Sequence, residues 1–194
     1  ITYSALTNQS DEQIAKNAWE GSRIGGNAGK ENALQIMAQK VLPSNKSHLT
    51  IVHTPEPNEQ GLYADKEGYV QDQETGNWYR TWGAGPSILI AGDLISDNNR
   101  TRDIDLSIKI YQSPNLVPIS QEPYYINLLN QLDAGYKDNL TYDLFPNLNN
   151  PAGYNSNSYV SGLLNAAGIN PPQINDLTLP GYKKPIPAEN FGVK

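Results

Sequence analysis

Two hydrophobic periods alternate along this chain, and the places where one gives way to the other outline its elements. Near the N-terminus, Ser10-Asp11-Glu12-Gln13 supplies the serine and glutamine of a capping box and predicts a helix to about Trp19. The glycine-rich stretch from Gly21 to Gly29 breaks it. A second helix is predicted from Lys30 to Val41, with Ala33, Ile36, Met37 and Val41 on one face and Pro43 as its stop. From Ser47 the period shortens. His48 to His53 is a β-branched run halted by Pro55 and Pro57. Trp78 to Trp82 reads as a strand with a hairpin-like lead at Thr75-Gly76-Asn77. The segment SILIAGDLI that follows Pro86 fits either strand or loop. Asp103 to Tyr111 alternates strictly, with Ile104, Leu106, Ile108 and Ile110 on one face, and gives the clearest strand signal.

Helical spacing then returns. Ser120 and Pro123 open a helix to about Ala134 whose apolar face is Tyr125, Ile126, Leu129 and Leu132. An asparagine-rich loop from Asp138 to Tyr154 leads into NSNSYVSGLLNAAG, Asn155 to Gly168. There Val160, Leu163, Leu164 and Ala167 recur at helical spacing, Ser158, Ser161 and Asn165 fall on the opposite side, and Gly168 marks the end. The tail from Asn170 holds five prolines and is expected to lie extended on the surface.

Strands and helices are segregated in this order. The pattern predicts an α+β fold with an antiparallel sheet packed against helices and an N-terminal helical lead-in. The expected division is a lead-in or connector over residues 1–46 and a main domain over residues 47–194. The sheet should contain His48 to Val52, Trp78 to Trp82 and Ile104 to Ile110, and should pack against the helix that begins near Ser156.

Composition narrows the functional classes. The 194 residues carry a formal net charge of −6, with lysine and arginine scattered, which argues against a nucleic-acid partner. The chain has no cysteine, so disulfides, thiolate metal sites and a cysteine nucleophile are absent. No apolar run approaches the length of a transmembrane segment. Gly83-Ala84-Gly85-Pro86 lacks the lysine and the strand–helix context of a phosphate-binding loop, and no cofactor is expected. The two histidines, His48 and His53, are five residues apart on one strand, so they face opposite ways and cannot share a metal. The first residue is Ile1, which fits a chain processed or excised from something longer.

Ser156 is the candidate with chemical content. Counting by four and three from Ser156 gives Val160, Leu163 and Ala167, so its hydroxyl lies at the first turn on the inward stripe. Backbone N–H groups at that turn, those of Ser156 and Asn157, suit a developing oxyanion. The competing reading is a helix cap, since Asn155, Ser156, Asn157 and Ser158 are all good N-cap residues. If Ser156 is a nucleophile, its base is His48 or His53, because histidine is the side chain matched to neutral pH. Arg100 and Asp103 read as a structural ion pair near a strand end.

A histidine opening an early strand, followed far downstream by a nucleophile after asparagine at a helix start, resembles the permuted papain-like (NlpC/P60-like) hydrolases and acyltransferases. There the nucleophile is cysteine. Asn155-Ser156-Asn157-Ser158-Tyr159 matches the shape with serine in its place. HLTIVHTPEPNEQ, YRTWGAGP, GDLISDNNRTRD and YNSNSYVSGLLNAAG also resemble segments of C-terminal toxin domains of bacterial polymorphic toxins, of the filamentous haemagglutinin and Rhs types. The likeness spans about Ser47 to Phe191. It implies His48 as the base, with His53 the alternative, and an orienting polar group on the neighbouring strand, for which Thr81 is the candidate. It also implies a secreted domain, delivered into a target cell as the C-terminal part of a larger protein and neutralised by a cognate immunity protein. The serine leaves three cases open: a branch that uses serine, a cysteine replaced by serine, or a cap in an inactive fold.

Two functional classes follow. One is a hydrolase or acyltransferase toxin acting on an amide, ester or thioester, with peptidoglycan, lipid or protein as substrate. The other is a non-catalytic binding module that uses the aromatic residues Tyr63, Tyr69, Trp78, Tyr79 and Trp82, drawn from twelve tyrosines and three tryptophans.

Overall fold

Strands β1 (Ala33–Val41) and β2 (Lys46–Thr54) form a long antiparallel hairpin in which Ala38 faces Leu49, Gln39 faces His48 and Ile36 faces Ile51. A computed structural model describes residues 33–41, 44–105, 107–147 and 152–193. Around the hairpin the chain adds β3 (Val70–Gln71), β4 (Trp78–Trp82) and β7 (Lys109–Gln112), giving an antiparallel sheet in the order β3-β4-β2-β1-β7. A second sheet has the order β5-β6-β8-β9, from β5 (Ala84–Ile88), β6 (Ala91–Ser96), β8 (Leu140–Tyr142) and β9 (Gly153–Tyr154). Its pairs are antiparallel except β8 with β9. Two helices, α1 (Glu122–Ala134) and α2 (Ser156–Ala166), complete an α+β fold.

The first sheet has two different faces. Leu34, Ile36, Ala38, Leu49, Ile51 and Trp82 point to one side and are fully buried in a core with Leu129 of α1 and Val160, Leu163 and Leu164 of α2. The opposite side carries Gln35, Gln39, His48, Thr50 and Thr81, all buried and polar. A period of two puts these sets on opposite sides. Burying polar side chains costs free energy unless they find partners. Gln39, His48 and Thr81 find them in the segment between β6 and β7, Gln35 in Gln112 and Ser113, and Thr50 in His48.

Several segments depart from the sequence expectation. The helix predicted over Lys30 to Val41 is strand β1 from Ala33 onward. The segment satisfies both periods, since Leu34, Ile36 and Ala38 also alternate. Its place between β2 and β7 decides for the strand. The boundary expected after residue 46 therefore falls inside a hairpin, and the compact unit that holds the sheet runs from Asn32 to Lys194. The helix predicted from Ser10 lies outside the described residues.

The strand predicted over Asp103 to Tyr111 is shorter than its alternation suggests. Thr101–Asp103 is a 3₁₀ turn with Asp103 buried, and β7 begins only at Lys109. Asp105 Oδ1 accepts hydrogen bonds from the N–H and hydroxyl of Ser107, at 2.8 and 2.6 Å, and this side-chain turn competes with the ladder. SILIAGDLI resolves into the β5–β6 hairpin, and the loop from Asp138 to Tyr154 contains β8 and β9.

The proline-rich tail does not stay on the surface. Ile186 and Phe191 are buried, and Ile186 N–H donates to the Ser158 carbonyl at 3.1 Å. A Cβ at Gly162 would lie 2.7 Å from the Ile186 backbone, so only glycine lets the tail lie this close. The tail thus covers the side of α2 expected to be solvated. Ser158 and Ser161 are buried and donate their hydroxyls to the carbonyls of Gly181 and Asn157, at 3.0 and 3.1 Å.

Candidate active site

Asn155, and not Ser156, caps helix α2. Its Oδ1 accepts from the N–H groups of Asn157 and Ser158 at 3.0 and 3.1 Å. Its amide donates to the Pro180 carbonyl at 3.0 Å. With the cap filled, the Ser156 hydroxyl turns to the sheet and lies 2.8 Å from His48 Nδ1. No partner is formed by the Ser156 N–H among the described residues. Asn157 was expected to share the oxyanion role. Its N–H is taken by the cap, so that donor is committed.

The two residues come from positions 108 apart in sequence, and Asn157 holds them together. Strand β4 pairs with β2 only from Ile51 to His53, which leaves the edge of β2 open around His48. The Asn157 side chain fills this edge. Its Oδ1 accepts the Leu49 N–H at 2.9 Å, and its amide donates to the carbonyls of Ser47 and Pro180, each at 3.0 Å. Both peptide groups flanking His48 are thereby bound by the residue next to Ser156.

The far side of the His48 ring meets a charged cluster. Asp103 Oδ1 lies 3.3 Å from Nε2, without an aligned hydrogen bond. Arg100 Nη2 lies 2.6 Å from the same nitrogen, and the Thr50 hydroxyl 3.2 Å from it. Arg100 Nε donates to Asp103 Oδ2 at 3.0 Å and Nη1 to Asp97 Oδ2 at 3.2 Å. Gln39 donates its side-chain amide to the Asp103 carbonyl and fixes the turn. Gly83 and Gly85 lie beneath the guanidinium, where a Cβ would approach it to 3.3 and 3.0 Å. The ion pair read from sequence is present, and it is built onto the histidine.

Burial pushes the His48 pKa below its ordinary value, with Arg100 and Arg102 adding to the shift and Asp103 opposing it. The ring is neutral at neutral pH, as a general base must be. Burial alone would raise the Asp103 carboxyl. The neighbouring His48 ring and the Arg100 guanidinium outweigh that and hold it below the usual carboxylate range.

His53 is elsewhere. It lies on the opposite face of β2, fully buried, with Nδ1 2.7 Å from the Tyr69 hydroxyl. Burial, with some help from Lys66, lowers its pKa to about 4. The Thr81 hydroxyl, expected to orient the base, accepts the Asn99 N–H at 2.6 Å, while Asn99 Oδ1 accepts the Thr81 N–H at 2.8 Å. Thr81 thus anchors the segment that carries Arg100 and Asp103. Of the aromatic residues considered as a binding face, Tyr69, Tyr79 and Trp82 are buried.

A cleft of about 450 Å³ adjoins the helix start, its walls including Pro146, Ile174, Leu177, Leu179 and Tyr182. Pro180, whose carbonyl binds Asn155 and Asn157, forms part of its wall. Sequence reasoning paired Ser156 with His48, which the fold brings together, and read the Arg100–Asp103 ion pair, but not its approach to His48 or the bridging carboxamide of Asn157. The one available signal was an acid in the polar run NNRTRD, and a side chain's contact across 55 residues leaves no local pattern. Among the described residues no group of three or more acidic, histidine or cysteine side chains could hold a metal, and no helix is long and apolar enough to cross a membrane. No known protein family, curated protein or solved structure matches the chain.

Proposed function

We propose that this domain is a serine-dependent hydrolase or acyltransferase in which Ser156 is the nucleophile, His48 the general base and Asp103 the residue that orients the ring. The observation that carries the reading is the 2.8 Å approach of the Ser156 hydroxyl to a buried, neutral His48 ring at a helix start already capped by Asn155. A serine needed only for capping would not leave that task to its neighbour.

In the reacting form Nδ1 carries the lone pair. Ser156 Oγ attacks an acyl carbon, its proton passes to Nδ1, and the ring returns that proton to the leaving amine, alcohol or thiol. Water or a second acceptor then releases the acyl group by the same steps in reverse. Asp103 stabilises the imidazolium, and the Ser156 N–H at the positive end of α2 faces the developing oxyanion. The ring is used in the opposite sense from the chymotrypsin-type triad, where Nε2 faces the serine.

The motif likeness extends the proposal to a bacterial toxin domain, delivered into a target cell and held inactive by an immunity protein that covers Ser156. Such a partner needs to bury about 1,200–2,000 Å² in total. Labelling with an acylating active-site probe tests the chemistry. The wild-type chain should be labelled, and Ser156→Ala and His48→Ala should not. Expression of the full chain in the cytoplasm and periplasm of a susceptible bacterium tests the biology. Growth arrest that Ser156→Ala abolishes supports the toxin reading, and harmless expression in both compartments overturns it.

A further inference from the structure

We propose that Arg100 is a positioning residue that holds the single ring proton of His48 on Nδ1 in the resting domain, so that the base becomes competent only when the guanidinium yields Nε2 to Asp103. The tautomer itself does not depend on the function proposed above; its consequence for catalysis rests on Ser156 being the nucleophile.

The argument begins with what each neighbour can do. A guanidinium has five N–H donors and no acceptor. With Nη2 at 2.6 Å from Nε2, that ring nitrogen has to present its lone pair. A neutral imidazole has one N–H, so the proton sits on Nδ1 and donates to the Ser156 hydroxyl oxygen at 2.8 Å. The Thr50 hydroxyl, 3.2 Å from Nε2, can donate to the same lone pair.

The acceptor for the other tautomer stands on the opposite side. Asp103 Oδ1 is buried and forms no hydrogen bond, although it lies 3.3 Å from Nε2. In this ring orientation an Nε2–H would not point at it, and its charged neighbour is Arg102 Nε at 3.9 Å. A small turn of the ring would bring Nε2–H into line with Oδ1. Asp103 Oδ1 is therefore the vacant acceptor of the active tautomer, and Arg100 occupies the nitrogen that would donate to it.

The consequence is a latched base. A serine hydroxyl that accepts from Nδ1–H cannot pass its own proton to that nitrogen. Moving the proton to Nε2 frees Nδ1 as an acceptor and satisfies Oδ1 at the same time. The guanidinium can give up Nη2 without leaving its place, because Nε stays on Asp103 and Nη1 on Asp97. An oxygen acceptor brought beside the ring by a substrate would draw Nη2 away.

The test reads the tautomer directly. Long-range proton–nitrogen NMR on the nitrogen-15-labelled full chain distinguishes a protonated from an unprotonated ring nitrogen. The chain has two histidines, and His53→Gln assigns the signals. The wild type should show His48 protonated on Nδ1 at neutral pH. Ser156→Ala should keep that proton on Nδ1, since Arg100 and not the serine sets it. Arg100→Met should move it to Nε2. A wild-type ring protonated on Nε2, a tautomer change in Ser156→Ala, or an unchanged ring in folded Arg100→Met overturns the proposal. If Arg100→Met does not fold, the first two spectra still decide. Failure of Ser156 to take an acylating probe, with the tautomer as stated, counts against the hydrolase reading and not against this one.

Discussion

Asn157 brackets His48: its carboxamide binds the Ser47 carbonyl and the Leu49 N–H, the two peptide groups on either side of the histidine. The side chain behaves as a one-residue strand added to the open edge of β2. Because it also follows Ser156 directly, it ties the helix start to His48 with no flexible link between them.

Asn157→Ala should therefore harm both stability and reactivity. It leaves the Leu49 N–H and the Ser47 carbonyl without their partner and removes one of the two donors to the Pro180 carbonyl, and an unsatisfied buried group costs about 1–3 kcal/mol. We expect a loss of about 2–4 kcal/mol in urea unfolding, with less labelling of Ser156 in the fraction that stays folded. Asn157→Asp should be at least as damaging, because its carboxylate would face the Ser47 and Pro180 carbonyls.

The two histidines should separate cleanly. His48→Ala should lower the rate of acylation at Ser156 by about 10²–10⁴-fold, the range for a general base. His53→Gln should leave it nearly unchanged. Asp103→Asn should fall between them if Asp103 orients the ring and stabilises its cation. Equal and small effects at His48 and His53 would reduce Ser156 to a structural residue.

The pH dependence has a fixed sign. Both histidines have folded pKa values below the ordinary 6.5, so the unfolded chain binds more protons as pH falls through 6.5. The stability this supplies is fully present above 6.5 and is lost as pH drops towards the folded values. For His53, with its pKa near 4, the interval corresponds to about 3 kcal/mol. Denaturant melts between pH 7.5 and pH 4 should show this decline, and His53→Gln should flatten it. The acid limb of Ser156 labelling should likewise lie below 6.5.

Gly162→Ala should detach the tail. The new methyl would meet the Ile186 backbone at 2.7 Å, where no side chain can give way. Overpacking of this kind costs about 1–3 kcal/mol. Limited proteolysis should cut within residues 170–187 faster than in the wild type.

What the sequence disclosed follows from how far each signal reaches. Helix α2 was legible because its apolar stripe, its start and its glycine stop are all local. So was α1, with Ile126, Leu129 and Leu132 buried as their spacing implied. Strand β1 was not, since a segment that fits both periods is decided by its neighbours. Asp103 to Tyr111 misled for the converse reason: a side-chain turn at Asp105 cancels an alternation that is real in the sequence. Ser156 and His48 were found through residue chemistry and the motif they resemble. Asp103 and Asn157 act through contacts across 55 and 108 residues, which only the folded chain brings together.

The separation of Ser156 from His48 also bears on when in folding the two meet. Closing a loop of that length costs chain entropy that local contacts cannot recover, so the pair meets late, with the bulk of the long-range pairing. A form holding only the β1–β2 hairpin, or only the helix, cannot bring Ser156 beside His48. If Ser156 is the nucleophile proposed above, its labelling reports complete folding. In a refolding experiment it should appear with the slowest spectroscopic phase and never ahead of it.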